Sequence, residues 1–227
     1  MIRIFDIILS LLAIIFFLPF FLIIIVILKF TGEGEIFYYQ KRIGKEGNFF
    51  YLIKFATMLK DSPNLHTGNI TSFNDPRILP FGNFLRKTKI NELPQLINVL
   101  KNEMSLIGYR PLTPDIFNLY DDETKKLLIN YPPGLSGMSS IFFRDEEKIF
   151  KKQQDLKDFY KTNIIPYKAY LENWYYNNIN LKNYLKCIIA TVIMILISNN
   201  NFYFTIFKDI NYPSSALIKM FNIYEKK

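Results

Sequence analysis

Cysteine, histidine and tryptophan are nearly absent from this chain of 227 residues, since each occurs once. A single cysteine cannot form an internal disulfide, and it cannot build a metal site from cysteines alone. Cys187 lies beside the aliphatic pair Ile188 and Ile189, which favours a buried or lipid-facing thiol. The one histidine, His66, lies in a polar loop without a second histidine at metal-ligand spacing, so we expect it to be a surface residue.

Acidic residues are in the minority, with 20 against 28 lysines and arginines, so the formal net charge is +8. A basic balance favours anionic partners, which include phospholipid headgroups, nucleic acid and phosphorylated substrates. The sequence has no helix-turn-helix spacing, no zinc-ligand pattern and no RNA-binding aromatic signature. We therefore expect membrane lipids and phosphorylated substrates as partners, and no nucleic acid.

One long hydrophobic run is present, because the 22 residues from Ile7 to Leu28 carry no charge. About 20 apolar residues suffice to cross a bilayer as a helix. The run is longer than the core of a signal peptide, and no small-x-small cleavage site follows it. We therefore predict a membrane-anchoring helix over residues 1–31.

Pro19 lies near the middle of this run, where a proline removes a backbone hydrogen bond and kinks a helix. The kinked helix can span the bilayer, or it can turn back so that both of its ends stay on the cytoplasmic side. Arg3 and Lys29 flank the two ends, and positive charge on both sides mildly favours two cytoplasmic ends. Both the spanning and the re-entrant arrangement remain open on the sequence.

Two aromatic, β-prone segments follow the hydrophobic run, at 36–40 and 49–53. The polar stretch 41–48 between them contains two glycines, and the pattern predicts a β-hairpin. Residues 61–79 are rich in proline, asparagine, glycine and serine, which predicts a loop.

Helical patterns dominate the remaining chain. One predicted helix collects four aliphatic residues on one face, namely Leu93, Leu96, Ile97 and Leu100. Asn91 is a candidate N-cap for this helix, and Pro94 is tolerated in its first turn, where the missing N–H costs little.

Two further helices are predicted, one from Thr113–Pro114 toward Ile129 and one over 145–175 with an interruption at Pro166. A second apolar run, Cys187 to Ser198, is too short to span a bilayer, so we expect a helix on the membrane surface or packed on the domain. The sequence therefore predicts an α+β protein. Its membrane helix (1–31) precedes a mostly helical cytosolic domain (32–200) with a small β-hairpin and interfacial helices, and a tail (201–227) has no assigned role.

Six short segments, in order along residues 3–198, resemble the bacterial sugar transferase family, the small monotopic phosphoglycosyl transferases. They are the apolar segment with its central proline, Lys54–Met58, the stretches Asp75–Ile78 and Phe81–Lys87, Asn91–Leu100, Met104–Pro111 and Pro133–Gly137. The resemblance implies that a carboxylate attacks the β-phosphate of a UDP-sugar, which forms a phospho-sugar enzyme intermediate and releases UMP. A polyprenyl (undecaprenyl) phosphate then accepts the phospho-sugar, while Mg²⁺ offsets the phosphate charge.

The implied reaction initiates assembly of a surface glycan, such as O-antigen, capsule, exopolysaccharide or a glycoprotein glycan. It implies a membrane-anchored protein at the cytoplasmic face of the bacterial inner membrane. The sequence identifies neither the sugar nor the oligomeric state.

The chain departs from the family at its Asp-Glu pair, where it has Asn91 and Glu92. An amide is a poor nucleophile and a weaker Mg²⁺ ligand than a carboxylate. Three explanations compete. Glu92 takes over as the nucleophile, or the carrier phosphate attacks directly with Glu92 as general base, or the chain is catalytically impaired and acts as a scaffold or substrate-binding protein in the same pathway. Asn91 and Glu92 are the candidate catalytic residues, and we expect Mg²⁺ near them.

Four basic residues are candidates for binding substrate phosphate: Lys54, Arg110, Arg77 and Arg86. Lys54 ends an apolar strand, where a charged residue is uncommon. Arg110 offers a planar fork that suits bidentate phosphate contact. Tyr109 stands where the family's Pro-Arg-Pro motif has its first proline, a second departure that concerns the local backbone rather than Arg110.

Overall fold

The computed structural model describes residues 1–62, 75–144, 146, 156–197, 200–221 and 223. His66 and most of the loop predicted over 61–79 lie outside the described residues, as does the first part of the helix predicted over 145–175. The described part is mostly helical with two small sheets, which confirms the predicted α+β class.

The described helices follow one another along the whole chain. They are α1 (Ile2–Phe30), α2 (Pro80–Lys87), α3 (Gln95–Leu100), α4 (Pro114–Phe117), α5 (Asp122–Ile129), α6 (Met138–Phe142), α7 (Leu156–Phe159), α8 (Ile165–Asn177), α9 (Leu181–Ile197), α10 (Asn200–Ile206) and α11 (Ser215–Phe221). One sheet is an antiparallel hairpin of β1 (Phe37–Ile43) and β2 (Phe49–Phe55). The other pairs β3 (Ser105–Ile107) with β4 (Gly134–Ser136) in parallel.

The hairpin confirms the prediction from the two aromatic segments. Its strands are longer than expected and its turn is shorter, because the 3₁₀ turn Lys45–Gly47 reverses the chain. Glu46 and Gly47 both have positive φ in this turn, 60° and 75°. Gly47 accepts that backbone without strain because it has no Cβ.

Helix α1 is 29 residues long, which corresponds to about 43 Å at 1.5 Å per residue. Within the described residues it is the only helix long and apolar enough to cross a membrane. It runs through Pro19 without a break. The kink that we expect at Pro19 stays a prediction.

The first turns of α1 dock on the domain through a buried carboxylate. Asp6 is only 2% exposed. Its Oδ1 accepts hydrogen bonds from Leu106 N at 2.9 Å and from Tyr184 Oη at 2.8 Å, and its Oδ2 accepts one from Ser105 Oγ at 2.9 Å. These three donors hold the start of α1 against β3 and α9.

The last turns of α1 pack on the same domain. Ile24 and Leu28 are buried and share a hydrophobic cluster with Phe55 of β2 and Leu85 of α2. Because both ends of α1 touch one domain, they lie on the same side of any bilayer that the helix enters. This geometry favours the arrangement with both ends on one side over the spanning one.

The prediction of one continuous helix from Thr113 to Ile129 is wrong, because the structure has two helices there. Helix α4 starts after Thr113 and ends at Phe117. Helix α5 starts anew after Asp121, whose side chain accepts a hydrogen bond from Thr124 N at 2.8 Å. Asp121 therefore acts as an N-cap that begins a second helix.

Pro166 does not interrupt its helix. The five-residue π-helical turn Tyr160–Ile164 precedes α8, and Pro166 lies in the first turn of α8. A proline has no N–H to donate, and a wider turn before it accommodates the missing hydrogen bond. The helical path from α7 to α8 therefore changes type at this point without ending.

Helix α9 has 17 residues, starts six residues before the second apolar run and contains residues 187–197 of it. One face is buried in the domain, and it includes Tyr184, Cys187 and Met194. The thiol of Cys187 is thus buried, and burial raises its pKa. The opposite face exposes aliphatic side chains at helical spacing, namely Leu185, Ile189, Val192 and Ile195.

The described part of the tail packs into the main core. Tyr203, Phe207 and Leu217 are buried in the largest hydrophobic cluster, together with residues of α6 and α8. Tyr167 Oη of α8 donates a hydrogen bond to the backbone oxygen of Asn211 at 2.9 Å. Helices α10 and α11 are therefore part of the domain's packing.

We expect Asp6→Ala to destabilise the protein by about 1–3 kcal/mol, because it leaves buried donors without an acceptor. The measurement is the thermal unfolding midpoint of the detergent-solubilised chain. Tyr184→Phe removes a single donor with its hydroxyl and should lower the midpoint by much less. An unchanged midpoint in Asp6→Ala would contradict the role of this carboxylate in docking α1.

Candidate active site

Three residues that the sequence singled out meet in space. Glu92 Oε1 accepts hydrogen bonds from Lys54 Nζ at 3.2 Å and from Arg110 Nη2 at 3.4 Å, although they lie 38 and 18 positions away in sequence. The side chains of Lys54 and Glu92 are 16% and 15% exposed, and that of Arg110 is 47% exposed. We call Glu92, Lys54 and Arg110 the Glu92 cluster; it opens to solvent on the Arg110 side.

The three residues of the cluster come from three segments of the chain, and the backbone of each segment fixes the position of its residue. Lys54 lies on β2, directly across from Tyr38 of β1. Glu92 ends a 3₁₀ turn (Ile90–Glu92) that follows Lys89, whose φ of 60° bends the chain into the turn. The segment after β3 that carries Arg110 is held by β1, because Ile43 N donates to the backbone oxygen of Leu112 at 3.0 Å.

Arg42 is a site residue that the sequence analysis missed. Its Nη1 donates to the backbone oxygen of Pro111 at 3.0 Å, next to Arg110, and its Nη2 donates to Gln40 Oε1. Burial and the charge of Arg110 lower the pKa of Arg42 to about 10. The alternation of side chains along β1 could have indicated Arg42. It places Arg42 on the same face as Tyr38, which lies opposite Lys54.

The charges of the cluster shift the pKa of both partners of the ion pair. Burial lowers the pKa of Lys54 to about 8, with help from Arg110 and Arg42 and against the attraction of Glu92. Burial alone would raise the pKa of Glu92. The charges of Lys54 and Arg110 outweigh that effect and hold the pKa far below its usual value. Glu92 is therefore ionised at neutral pH.

Asn91 lies beside the cluster with its side chain turned inward. It is 6% exposed, and its Oδ1 is buried without a hydrogen-bond partner among the described residues. The prediction that Asn91 caps a helix is wrong, because it lies inside the 3₁₀ turn and α3 begins only after Pro94. A buried carbonyl oxygen without a donor costs about 1–3 kcal/mol, so stability does not account for Asn91.

Arg77 and Arg86 take other positions. Arg77 is buried, and its Nε and Nη2 donate to the carboxylate of Asp75 at 2.8 and 2.6 Å. This pairing favours a structural role for Arg77 over the expected phosphate contact. Arg86 lies in the last turn of α2, where its Nη1 contacts Met58 Sδ at 4.0 Å. Within the described part of the chain, the carboxylate of Glu92 contacts neither guanidinium.

A divalent cation fits this site only if the protein supplies one carboxylate and substrate phosphates and waters supply the remaining ligands. Among the described residues, no three acidic, histidine or cysteine side chains converge on one point. Mg²⁺ commonly takes one or two carboxylates and completes its shell with waters and substrate phosphates. Glu92 Oε2 makes no hydrogen bond within the described residues and fits as the single carboxylate, whereas the buried Oδ1 of Asn91 does not reach solvent.

Comparison with known proteins identifies the family of the chain. The profile of the family described as bacterial sugar transferase matches residues 1–198. The chain belongs to the bacterial sugar transferase family. That membership confirms the resemblance inferred from the six sequence segments.

Relatives of this sugar transferase include proteins with named activities. It is 32% identical over 186 residues to the exopolysaccharide production protein ExoY of Sinorhizobium fredii, covering 76% of this chain and 77% of ExoY. It is 31% identical over 209 residues to an undecaprenyl-phosphate galactose phosphotransferase of Salmonella typhimurium, covering 86% of this chain but 40% of that protein. A UDP-N-acetylgalactosamine-undecaprenyl-phosphate N-acetylgalactosaminephosphotransferase of Aeromonas hydrophila is 34% identical over 138 residues, which cover 60% of this chain and 32% of that protein.

The pKa of Lys54 should respond in opposite directions to its two kinds of neighbour. Glu92→Gln removes the acid that favours the ammonium form, so the pKa should fall below about 8, and Arg42→Gln removes a cation, so the pKa should rise. Amine reagents attack the neutral amine, so the pH midpoint of Lys54 labelling, measured by peptide mass spectrometry, reports the pKa. Exposed Lys126 is the internal control. Shifts of the same sign in both variants would contradict the electrostatic account.

Proposed function

We propose that this sugar transferase moves a phospho-sugar from a UDP-sugar to polyprenyl (undecaprenyl) phosphate and releases UMP, the initiating step of surface glycan assembly. The Glu92 cluster carries the proposal, because it combines an ionised carboxylate with cations at a partly open site. The named activities of the Salmonella and Aeromonas relatives support it.

The charge of the site matches these substrates. Lys54, Arg110 and Arg42 contribute three cations around one carboxylate, Glu92. Both the nucleotide diphosphate and the carrier phosphate are anions, and neutralising and positioning them is most of the catalysis in phosphoryl transfer. Arg110 is the most exposed of the cluster residues, so its fork is the one best placed to contact a phosphate.

The pKa of Glu92 argues against a role as general base. An efficient base has a pKa near the working pH, and that of Glu92 is far lower. The carrier does not need a base, since the second pKa of a phosphate monoester is about 6 and the dianion predominates at neutral pH. Of the three explanations for Asn91, we therefore keep direct attack by the carrier phosphate but remove the role of Glu92 as general base.

Glu92 has one open oxygen, which serves as nucleophile or metal ligand but not as both at once. Lys54 and Arg110 already occupy Oε1. Glu92 would hold Mg²⁺ through Oε2, and the ion would offset phosphate charge. The carrier phosphate then supplies the nucleophile: its oxygen bonds to the sugar-bearing phosphorus of the UDP-sugar, the bond from that phosphorus to the bridging oxygen breaks, and UMP leaves. The cations of the site orient the two phosphates and offset their charge.

The fold supports a site on one side of a membrane, which we assign to the cytoplasmic face. Both ends of α1 dock on the domain, while the outer face of the helix stays apolar and exposed, as at Ile8, Leu12 and Phe16. The exposed aliphatic face of α9 suits a helix at the membrane surface.

A second candidate function rests on Asn91. Loss of the family's nucleophilic aspartate is what an impaired member would show, and such a chain would serve the same pathway as a scaffold or substrate-binding protein. A direct measurement of turnover separates it from the first proposal.

The first test is release of UMP by the purified chain with undecaprenyl phosphate, Mg²⁺ and each of several UDP-sugars in turn. We expect turnover with at least one sugar, and a loss of about 100-fold or more in Glu92→Gln, because the variant removes the carboxylate that would hold Mg²⁺ and that pairs with Lys54 and Arg110. Glu123→Gln, an exposed acid on α5, is the matched control and should keep full activity. Turnover that is absent in the native chain and appears in Asn91→Asp would establish the impaired alternative.

The second test is the intact mass of the protein after incubation with the UDP-sugar and Mg²⁺ without carrier. Direct transfer predicts no added mass on the native chain. Asn91→Asp adds a second carboxylate and should gain the mass of a phospho-sugar. An adduct on the native chain that disappears in Glu92→Gln would instead assign Glu92 as the nucleophile.

A further inference from the structure

The hairpin that carries Lys54 has two different faces. Cross-strand partners share a face and successive residues alternate between faces. The even-numbered face contains Arg42, Leu52 and Lys54, and it is turned toward the Glu92 cluster and α3, where Leu52 packs with Val99. The odd-numbered face points away from the site.

The odd-numbered face exposes three aromatic rings. Tyr39, Phe49 and Tyr51 are 57%, 55% and 63% exposed. Lys41 is exposed among them, with its Nζ 4.0 Å from the centre of the Phe49 ring. We call these four residues the hairpin outer patch. Aromatic rings are usually buried, so three exposed rings on one small sheet face indicate a surface that something covers.

The same face continues into the contact with α1. Phe37 and Phe55 are cross-strand partners on the odd-numbered side, and their rings stack with centres 5.6 Å apart. The Phe55 ring also meets Phe21 of α1 edge to face at 5.6 Å. At this end of the hairpin, α1 covers the odd-numbered face. Farther along the strands Ile53 and Ile43 are still buried on this face, but the rings of Tyr39, Tyr51 and Phe49 beside them are exposed and form the outer patch.

We propose that the hairpin outer patch rests in the headgroup layer of the bilayer beside α1. The patch shares its face with the residues that hold the apolar anchor, so it is continuous with the membrane-contacting surface. Its composition suits that depth, because tyrosine has an apolar ring and a polar tip. Lys41 supplies the cation that anionic headgroups attract.

The contact has a consequence for the site that rests on the proposed function. Lys54 and Arg42 project from the opposite face of the same two strands. A hairpin seated on the headgroups therefore holds these cations one sheet's thickness from the lipid surface. The phosphate of a lipid carrier lies in the headgroup layer, so the hairpin would bring the cationic site within one sheet's thickness of the substrate.

Single tryptophan reporters test the contact in the full chain. Trp174→Phe removes the one native tryptophan, and Tyr51→Trp, Phe16→Trp or Glu123→Trp then places one reporter on the patch, on exposed α1 or on α5. Each protein is reconstituted in bilayers that contain anionic lipids brominated either near the headgroup or deep in the chains. We expect the Tyr51→Trp reporter to shift its emission to the blue and to lose emission to the shallow bromines. The Phe16→Trp reporter should respond to deeper bromines, and the Glu123→Trp reporter to aqueous acrylamide only.

The controls separate the ways in which the proposal can fail. If the α1 reporter is quenched by lipid and the Tyr51→Trp reporter responds to acrylamide only, the patch is exposed to water and the proposal is overturned. If, in detergent, protection of the Tyr51→Trp reporter from acrylamide increases with protein concentration, a second copy of the chain covers the patch. That result also overturns the proposal. An α1 reporter without lipid quenching would remove the anchor on which the proposal depends. The readout is independent of turnover, so a failed transferase assay leaves the result intact.

Discussion

The ion pairs of Glu92 join the three segments that build the site. Its carboxylate meets Lys54 from the hairpin and Arg110 from the segment after β3, and Arg42 lies close enough for its charge to act on Lys54. Without that carboxylate the cations would repel one another, and burial would oppose the charge on Lys54. Glu92 therefore holds these cations together in a partly buried cluster that is exposed on the Arg110 side.

The position of the cluster relative to a membrane depends on how α1 is held. Asp6 fixes the start of α1 on β3 and α9, and Leu28 fixes its end in a cluster with Phe55 of the hairpin. Phe55 is the residue after Lys54, so the anchor and the site share one strand. The position of the site relative to α1 is therefore set within the fold.

The exchange of the family's aspartate for Asn91 has a definite structural setting. The side-chain oxygen of Asn91 is buried without a partner among the described residues, while Glu92 keeps one oxygen open. Among the described residues the site thus offers one carboxylate oxygen without a hydrogen bond, at a position where the family pattern has two acids. The attack by the carrier phosphate that we propose needs no second carboxylate in this site. The phosphate is already ionised at neutral pH, so it also needs no general base.

Local patterns in the sequence determined much of this protein. The length of the apolar run predicted α1, alternating aromatic residues predicted the hairpin, and six ordered segments identified the family and named Glu92, Lys54 and Arg110. Periodicity and short motifs are properties of residues close together in sequence, and the order of the motifs follows from the chain itself, so all of these can be identified without a structure. Tertiary packing alone decided that both ends of α1 dock on one domain, that Arg42 joins the site while Arg77 pairs with Asp75, and that Asn91 turns inward. Most of these outcomes depend on contacts between residues far apart in the chain, and no local pattern specifies which distant side chains burial will bring together.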